Sequence, residues 1–185
     1  MQLWNLVLSG YPASGKTVLA RRLVSENPEF VRINVDDLRR MYFGAAQPTN
    51  DDELVYHTIT ALRDSILRNR RSVVIDSTAP QNSTRNILLN TKVPDVTRML
   101  VVMIVGKNEL EVRNRQRGME GMVTAWDKSW ENPAVHIPIV NFRNNSLAEF
   151  ETSYYILTEL LASKVHPFKR KFLKHIYPRI RRPTG

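Results

Sequence analysis

Gly10-Tyr11-Pro12-Ala13-Ser14-Gly15-Lys16-Thr17 fits the spacing G-x-x-x-x-G-K-[ST] and decides the fold. A loop of this length wraps an anion so that successive backbone N–H groups converge on its oxygens, and the two glycines permit the turns. The helix that follows points its free N–H groups at the same anion. In such a loop Lys16 reaches the β- and γ-phosphates of ATP and the Thr17 hydroxyl ligates Mg2+. The flanks agree: apolar LWNLVLS precedes the loop and amphipathic VLARRLV follows it.

Working outward, apolar runs alternate with helical periodicity, which predicts an α/β domain. The expected fold is an open parallel sheet of four or five strands with helices on both faces. The strands are Leu3–Ser9, Val31–Val35, Ser72–Ile75 and Met99–Val105, with His136–Phe142 a fifth that Pro138 either limits to an edge or disqualifies. Helices are expected over Lys16–Glu26, Asp37–Phe43, Asp51–Asn69 (with Asn50 as cap), Ser83–Asn90, Glu109–Arg117 and Ser146–Lys164. Residues 118–135, with two glycines and two tryptophans, read as a long loop or flap. Trp126 and Trp130 within it either anchor the flap to the core or stack on a base.

Composition narrows the class. The 185 residues are 42% hydrophobic and 24% charged, ordinary for a soluble domain, and include no cysteine, which excludes disulfides and thiolate metal sites. His57, His136, His166 and His175 lack metal-ligand spacing. The longest apolar run, Met99 to Val105, is far short of a membrane span, and the N-terminus lacks a basic leader, so a cytoplasmic protein is expected. Residues 1–163, the expected kinase domain, hold 19 Lys+Arg against 18 Asp+Glu. Residues 164–185 hold eight basic side chains and no acid, a basic tail suited to nucleic acid or another polyanion, or to solubility alone. Phe168, Phe172, Ile176 and Ile180 would line one face of a helix there.

The remaining motifs point to transfer onto an acceptor. The third strand ends Val73-Val-Ile-Asp76 without the adjacent Glu of a motor-type ATPase, and no Asn/Thr-Lys-x-Asp base-reading motif of a GTPase occurs. Asp36 and Asp37 end the second strand, where open parallel sheets place ligands. Asp36 is read as the general base, with Asp37 in a capping or auxiliary role. Arg39, one turn on, would clamp an acceptor phosphate. Asp76 would orient the acceptor hydroxyl or the metal's water shell. Arg113 and Arg117, four apart in a lid near residues 108–118, would close over the donor phosphates.

These stretches resemble the kinase domain of bacteriophage-type polynucleotide 5′-hydroxyl kinases across roughly residues 3–118. GYPASGKT is similar to that family's G-x-P-x-S-G-K-[ST] loop. Asn27-Pro-Glu-Phe30 and Ile33-Asn34-Val-Asp36-Asp37-Leu-Arg39 resemble its N-P-x-F…I-N-x-D-D-x-R segment. Val112-Arg113-Asn114-Arg115-Gln-Arg117-Gly118 resembles its lid, one residue shorter. The resemblance implies ATP-dependent phosphorylation of a 5′-hydroxyl end of RNA or DNA. Asp36 is implied as base, Arg39 and Asp76 at the acceptor, Arg117 on the donor phosphates, and Lys16 and Thr17 on ATP-magnesium. Zeta-toxin-like and seryl-tRNA-kinase-like enzymes share the loop and lid. A kinase for a small metabolite or an aminoacyl-tRNA, and a nucleotide-switched nucleic-acid-binding module, are the alternatives. The family's phosphatase motif, Asp-x-Asp-x-Thr, does not occur.

Overall fold

A computed structural model describes residues 2–48 and 51–163. Asn50 and the basic tail 164–185, with its apolar stripe, lie outside the described residues. Strands β1 (Leu3–Ser9), β2 (Phe30–Asn34), β3 (Ser72–Asp76), β4 (Val96–Ile104) and β5 (Ile139–Arg143) form one parallel sheet in the order β2-β3-β1-β4-β5. Among the described residues seven helices accompany them: α1 (Lys16–Glu26), α2 (Val35–Phe43), α3 (Asp52–Arg68), α4 (Asn82–Leu89), α5 (Lys107–Gln116), α6 (Met122–Asp127) and α7 (Leu147–Ala162). No helix among the described residues is long and apolar enough to cross a membrane.

The sheet is covered on both sides, so central strands β1 and β3 are buried along their whole length and mostly apolar rather than alternating. On one face Trp4, Leu6, Leu8, Val74, Val101 and Phe142 pack against Leu19 and Leu23 of α1 and Phe150, Tyr154 and Leu157 of α7. On the other, Val7, Val73, Ile75 and Leu100 pack against Val55 and Ile59 of α3 and Leu88 and Leu89 of α4. Each such aliphatic side chain contributes roughly 1.5–3 kcal/mol on burial. Asn5, polar and fully buried in the middle of β1, donates through Nδ2 to the Leu88 and Leu89 carbonyls at 3.1 Å, ending α4 against the sheet.

Several boundaries differ from the sequence reading. Asn34 passes directly into α2, so Asp36 and Asp37 sit in the helix's first turn rather than at the strand end. Helix α5 stops at Gln116, and residues 118–135 include α6 where a loop was expected. Helix α3 is preceded by Asp51 as its cap residue. Pro138 does confine the fifth strand to an edge: β5 starts one residue later, and the Pro138 carbonyl accepts from Leu100 N at 3.0 Å, a bond that needs no proline donor.

Candidate active site

The phosphate loop leaves the carboxyl end of β1 and is held from both sides. Gly10 N donates to the Thr78 carbonyl at 3.0 Å. Asn144, just past β5, donates through Nδ2 to the Ser14 carbonyl at 2.9 Å. Gly15 has φ +95°, and a Cβ there would land on the Asn144 amide nitrogen, so both conformation and space demand glycine. Gly15 is also the cap residue of α1, and no side chain caps that helix, which leaves its first N–H groups directed at the loop's interior.

Lys16 is buried, and its ammonium donates to the Gly10 carbonyl at 2.9 Å and the Tyr11 carbonyl at 2.7 Å. Burial pulls its pKa down from 10.5 to about 8. Asp76 and Asp36 act against that shift, and Arg117 adds to it. Groups from β3, α2 and the end of α5 thus act on one ammonium.

Where the acceptor is expected, capping falls to neither aspartate. The Asn34 side-chain oxygen accepts from Asp37 N at 2.7 Å, because Asn34 is the extended residue at the strand–helix junction and its oxygen reaches the third helical N–H. The same amide donates to Asp76 Oδ2 at 2.7 Å. Arg32, not singled out in the sequence, donates through Nη2 to Asp76 Oδ2 at 2.8 Å and through Nη1 to Asp37 Oδ2 at 3.1 Å. Arg39 lies one turn beyond Asp36 and meets it, Nη1 to Oδ1 at 2.9 Å. Its Nε and Nη2 lie on Asp52 Oδ1 and Oδ2 at 3.0 and 2.6 Å. Burial works against the Arg39 charge, and Asp52, Tyr56 and Asp36 together outweigh it. Arg40 is exposed and pairs with Asp37 at 3.0 Å.

The two arginines expected in the lid have different surroundings. Arg113 pairs with Glu109 at 2.7 Å and donates to the Asn144 carbonyl at 2.8 Å. Arg117 is the residue after α5, exposed, with Gly118 behind it at φ +68°.

The flap packs on the loop. The Tyr11 hydroxyl donates to Asp127 Oδ1 at 2.6 Å, and Lys107 Nζ to Asp127 Oδ2 at 2.6 Å. Burial, with Asp127 adding to it, pushes the Tyr11 pKa up to about 12. The Tyr11 ring lies 5.0 Å from that of Trp130. Beneath Trp130, at 4.7 Å, is the guanidinium of fully buried Arg85, which donates to the Ala79, Pro80 and Glu131 carbonyls. Trp130 therefore anchors the flap to the body rather than standing free to stack on a base.

Among the described residues no group of three or more His, Asp or Glu side chains could by itself hold a metal. The Thr17 hydroxyl in the first turn of α1 and the Asp76 carboxylate are hard oxygen donors. That set fits Mg2+, which characteristically takes one or two protein oxygens and completes its shell with phosphates and water.

A protein-family profile described as AAA domain matches residues 6–131. No curated protein sequence matches the chain. Among solved structures, a gluconokinase from Sinorhizobium meliloti 1021 is 20% identical with a TM-score of 0.60, over 90% of this chain and 100% of that one. The Pnkp1/Rnl/Hen1 complex is 28% identical with a TM-score of 0.54, over 59% of this chain and 38% of that one. A second structure, of the Pnkp1/Rnl/Hen1 RNA repair complex, is 22% identical with a TM-score of 0.57, over 72% of this chain and 48% of that one.

Proposed function

We propose that this chain, which belongs to the AAA-domain family and has a P-loop kinase-like fold, transfers the γ-phosphoryl group of ATP to a 5′-hydroxyl end of RNA or DNA. The observation that carries the transfer reaction is where the elements end: Asp76 closes β3 beside the phosphate loop that follows β1, Asp36 opens α2 after neighbouring β2, and Arg117 ends α5 after β4 on the other side. A base, a phosphate-binding cation and a lid cation must meet in this way for in-line transfer. Asp36, half exposed at the mouth of the site, takes the proton of the acceptor hydroxyl as its oxygen bonds to the γ-phosphorus. The bond from γ-phosphorus to the bridging oxygen breaks and ADP leaves. Lys16 and Arg117 offset the charge in flight, with Arg113 at the donor side and Asp76 placing the acceptor. Magnesium on Thr17 would supply further charge neutralisation at the phosphates. The 28% identity with a chain of the Pnkp1/Rnl/Hen1 complex, an RNA repair complex, supports a polynucleotide acceptor. Residues 1–163 would carry the chemistry and 164–185 would hold the polyanion.

A second reading, a small polyol as acceptor, is favoured by the charge of the acceptor side. Four carboxylates, Asp36, Asp37, Asp52 and Asp76, stand there in ion pairs with three guanidiniums, Arg32, Arg39 and Arg40. The test is transfer of γ-labelled phosphate to 5′-hydroxyl RNA, 5′-hydroxyl DNA, the same strands already 5′-phosphorylated, and gluconate, with Lys16→Ala and Asp36→Ala as blanks. Label confined to 5′-hydroxyl strands and absent from both blanks is expected. Label on gluconate alone, or undiminished transfer by Asp36→Ala, would overturn the proposal.

A further inference from the structure

Resting on that reading, the geometry points to Asp52 as a specificity-determining residue: its carboxylate competes with an acceptor phosphate for the guanidinium fork of Arg39. The sequence alone offers Arg39 as a free clamp. In the structure the clamp is already closed on a carboxylate. The Nε–Nη2 edge of Arg39 meets both oxygens of Asp52 at 3.0 and 2.6 Å, while Nη1 meets Asp36. A carboxylate and a phosphate present two oxygens to a guanidinium with nearly the same spacing, so they compete for one edge. Arg39 is buried, with a side chain only 7% exposed, and cannot add a third partner by swinging into solvent. Asp36 is required where it stands, so Asp52 is the partner that yields.

Asp52 is also the first residue of α3, carried on a different segment from Asp36. An acceptor phosphate seated on Arg39 therefore displaces the Asp52 carboxylate that ties α3 to α2, whereas a phosphate-free hydroxyl acceptor leaves the pair closed. Acceptors that bear a phosphate beside the hydroxyl must bind strongly enough to displace Asp52, and those without one meet no such contest. The net acidity of this end of the sheet thus becomes a filter on the acceptor rather than evidence against a nucleic acid.

The test compares a nucleoside with the same nucleoside carrying a 3′-phosphate, both of which present a 5′-hydroxyl. Binding to the ADP-loaded full chain is measured by calorimetry, and transfer from γ-labelled ATP by KM. The readout is the preference for the phosphorylated over the plain nucleoside. In Asp52→Asn this preference should rise about tenfold over wild type, the effect of one charge-assisted pairing made open to the ligand. Asp52→Glu, which keeps the carboxylate, should stay nearer wild type. If Asp52→Asn does not fold, Asp52→Ser suits the first turn of a helix and carries the same comparison. An unchanged or lower preference in the neutral variant means that Asp52 merely props Arg39, and overturns the inference. Wild-type protein that labels neither nucleoside nor any polynucleotide would sink the transfer reading, and the binding comparison would still decide the role of Asp52.

Discussion

Replacing Lys16 by methionine should stabilise the nucleotide-free protein, and the size of the effect follows from burial. The lysine pKa falls from 10.5 to about 8 in the folded chain. At about 1.4 kcal/mol per unit, the fold carries a charged Lys16 at a cost of roughly 3 kcal/mol. The hydrogen bonds to the Gly10 and Tyr11 carbonyls disappear with the ammonium, so the net gain at neutral pH should be about 1–3 kcal/mol. Between about pH 8 and 10.5 the unfolded chain holds the lysine proton and the folded chain does not. Wild-type stability therefore rises with pH through that window. The advantage of the methionine variant is complete below the folded pKa and gone above the unfolded one. Urea unfolding of both proteins across this range, without nucleotide, measures it. A variant less stable than wild type at neutral pH, or a difference flat in pH, would refute the reasoning. ATP reverses the bias by supplying negative charge. Wild-type protein at about pH 9 should take up about one proton on binding ATP, and almost none well below the folded pKa, read by calorimetry in buffers of different ionisation enthalpy.

Gly15→Ala should weaken nucleotide binding ~10- to 100-fold, because strain at positive φ and the collision with Asn144 both reshape the loop; near-native affinity in a fluorescent-ADP titration would count against the described loop. Arg117→Ala should lower the single-turnover transfer rate by ~10³ if it acts as a lid arginine, and a loss under about tenfold would remove it from that role. Deleting residues 165–185 should reduce affinity for 5′-hydroxyl oligonucleotides and flatten its salt dependence, by about 0.9 in logarithmic slope for each phosphate the tail neutralises; an unchanged slope would assign the tail to something other than nucleic acid.

The nucleotide half of the site was legible in the sequence because its determinants are local. Loop spacing and the flanking apolar and amphipathic runs place β1 and α1 at the residues where they occur. The half expected to hold the acceptor was less so. Asp36, Arg39 and Asp76 fall at the carboxyl end of the sheet as read, yet the partners that set their charge come from elsewhere: Arg32, Asn34 and Asp52. No periodicity marks Asp52, which meets Arg39 only when α3 folds against α2. Asn144 is similarly invisible, since it meets Ser14 across 130 positions of chain. Helix α6 escaped notice because six residues carry little intrinsic helical stability. It is held by the bonds of Asp127 to Tyr11 and Lys107.

The arrangement of strands also governs how the protein reaches its working state. Leu8 and Asn34 both register with Asp76, so the strand carrying Asp76 must slot between two strands that precede it in the chain. Parallel pairings of this kind close long loops and form slowly. The Asn144 clamp on the phosphate loop waits longer still, for β5 to dock on the sheet's edge. During refolding, helical signal should therefore return well before the capacity to bind nucleotide, and a nascent chain gains its phosphate site only after residue 144 has been delivered.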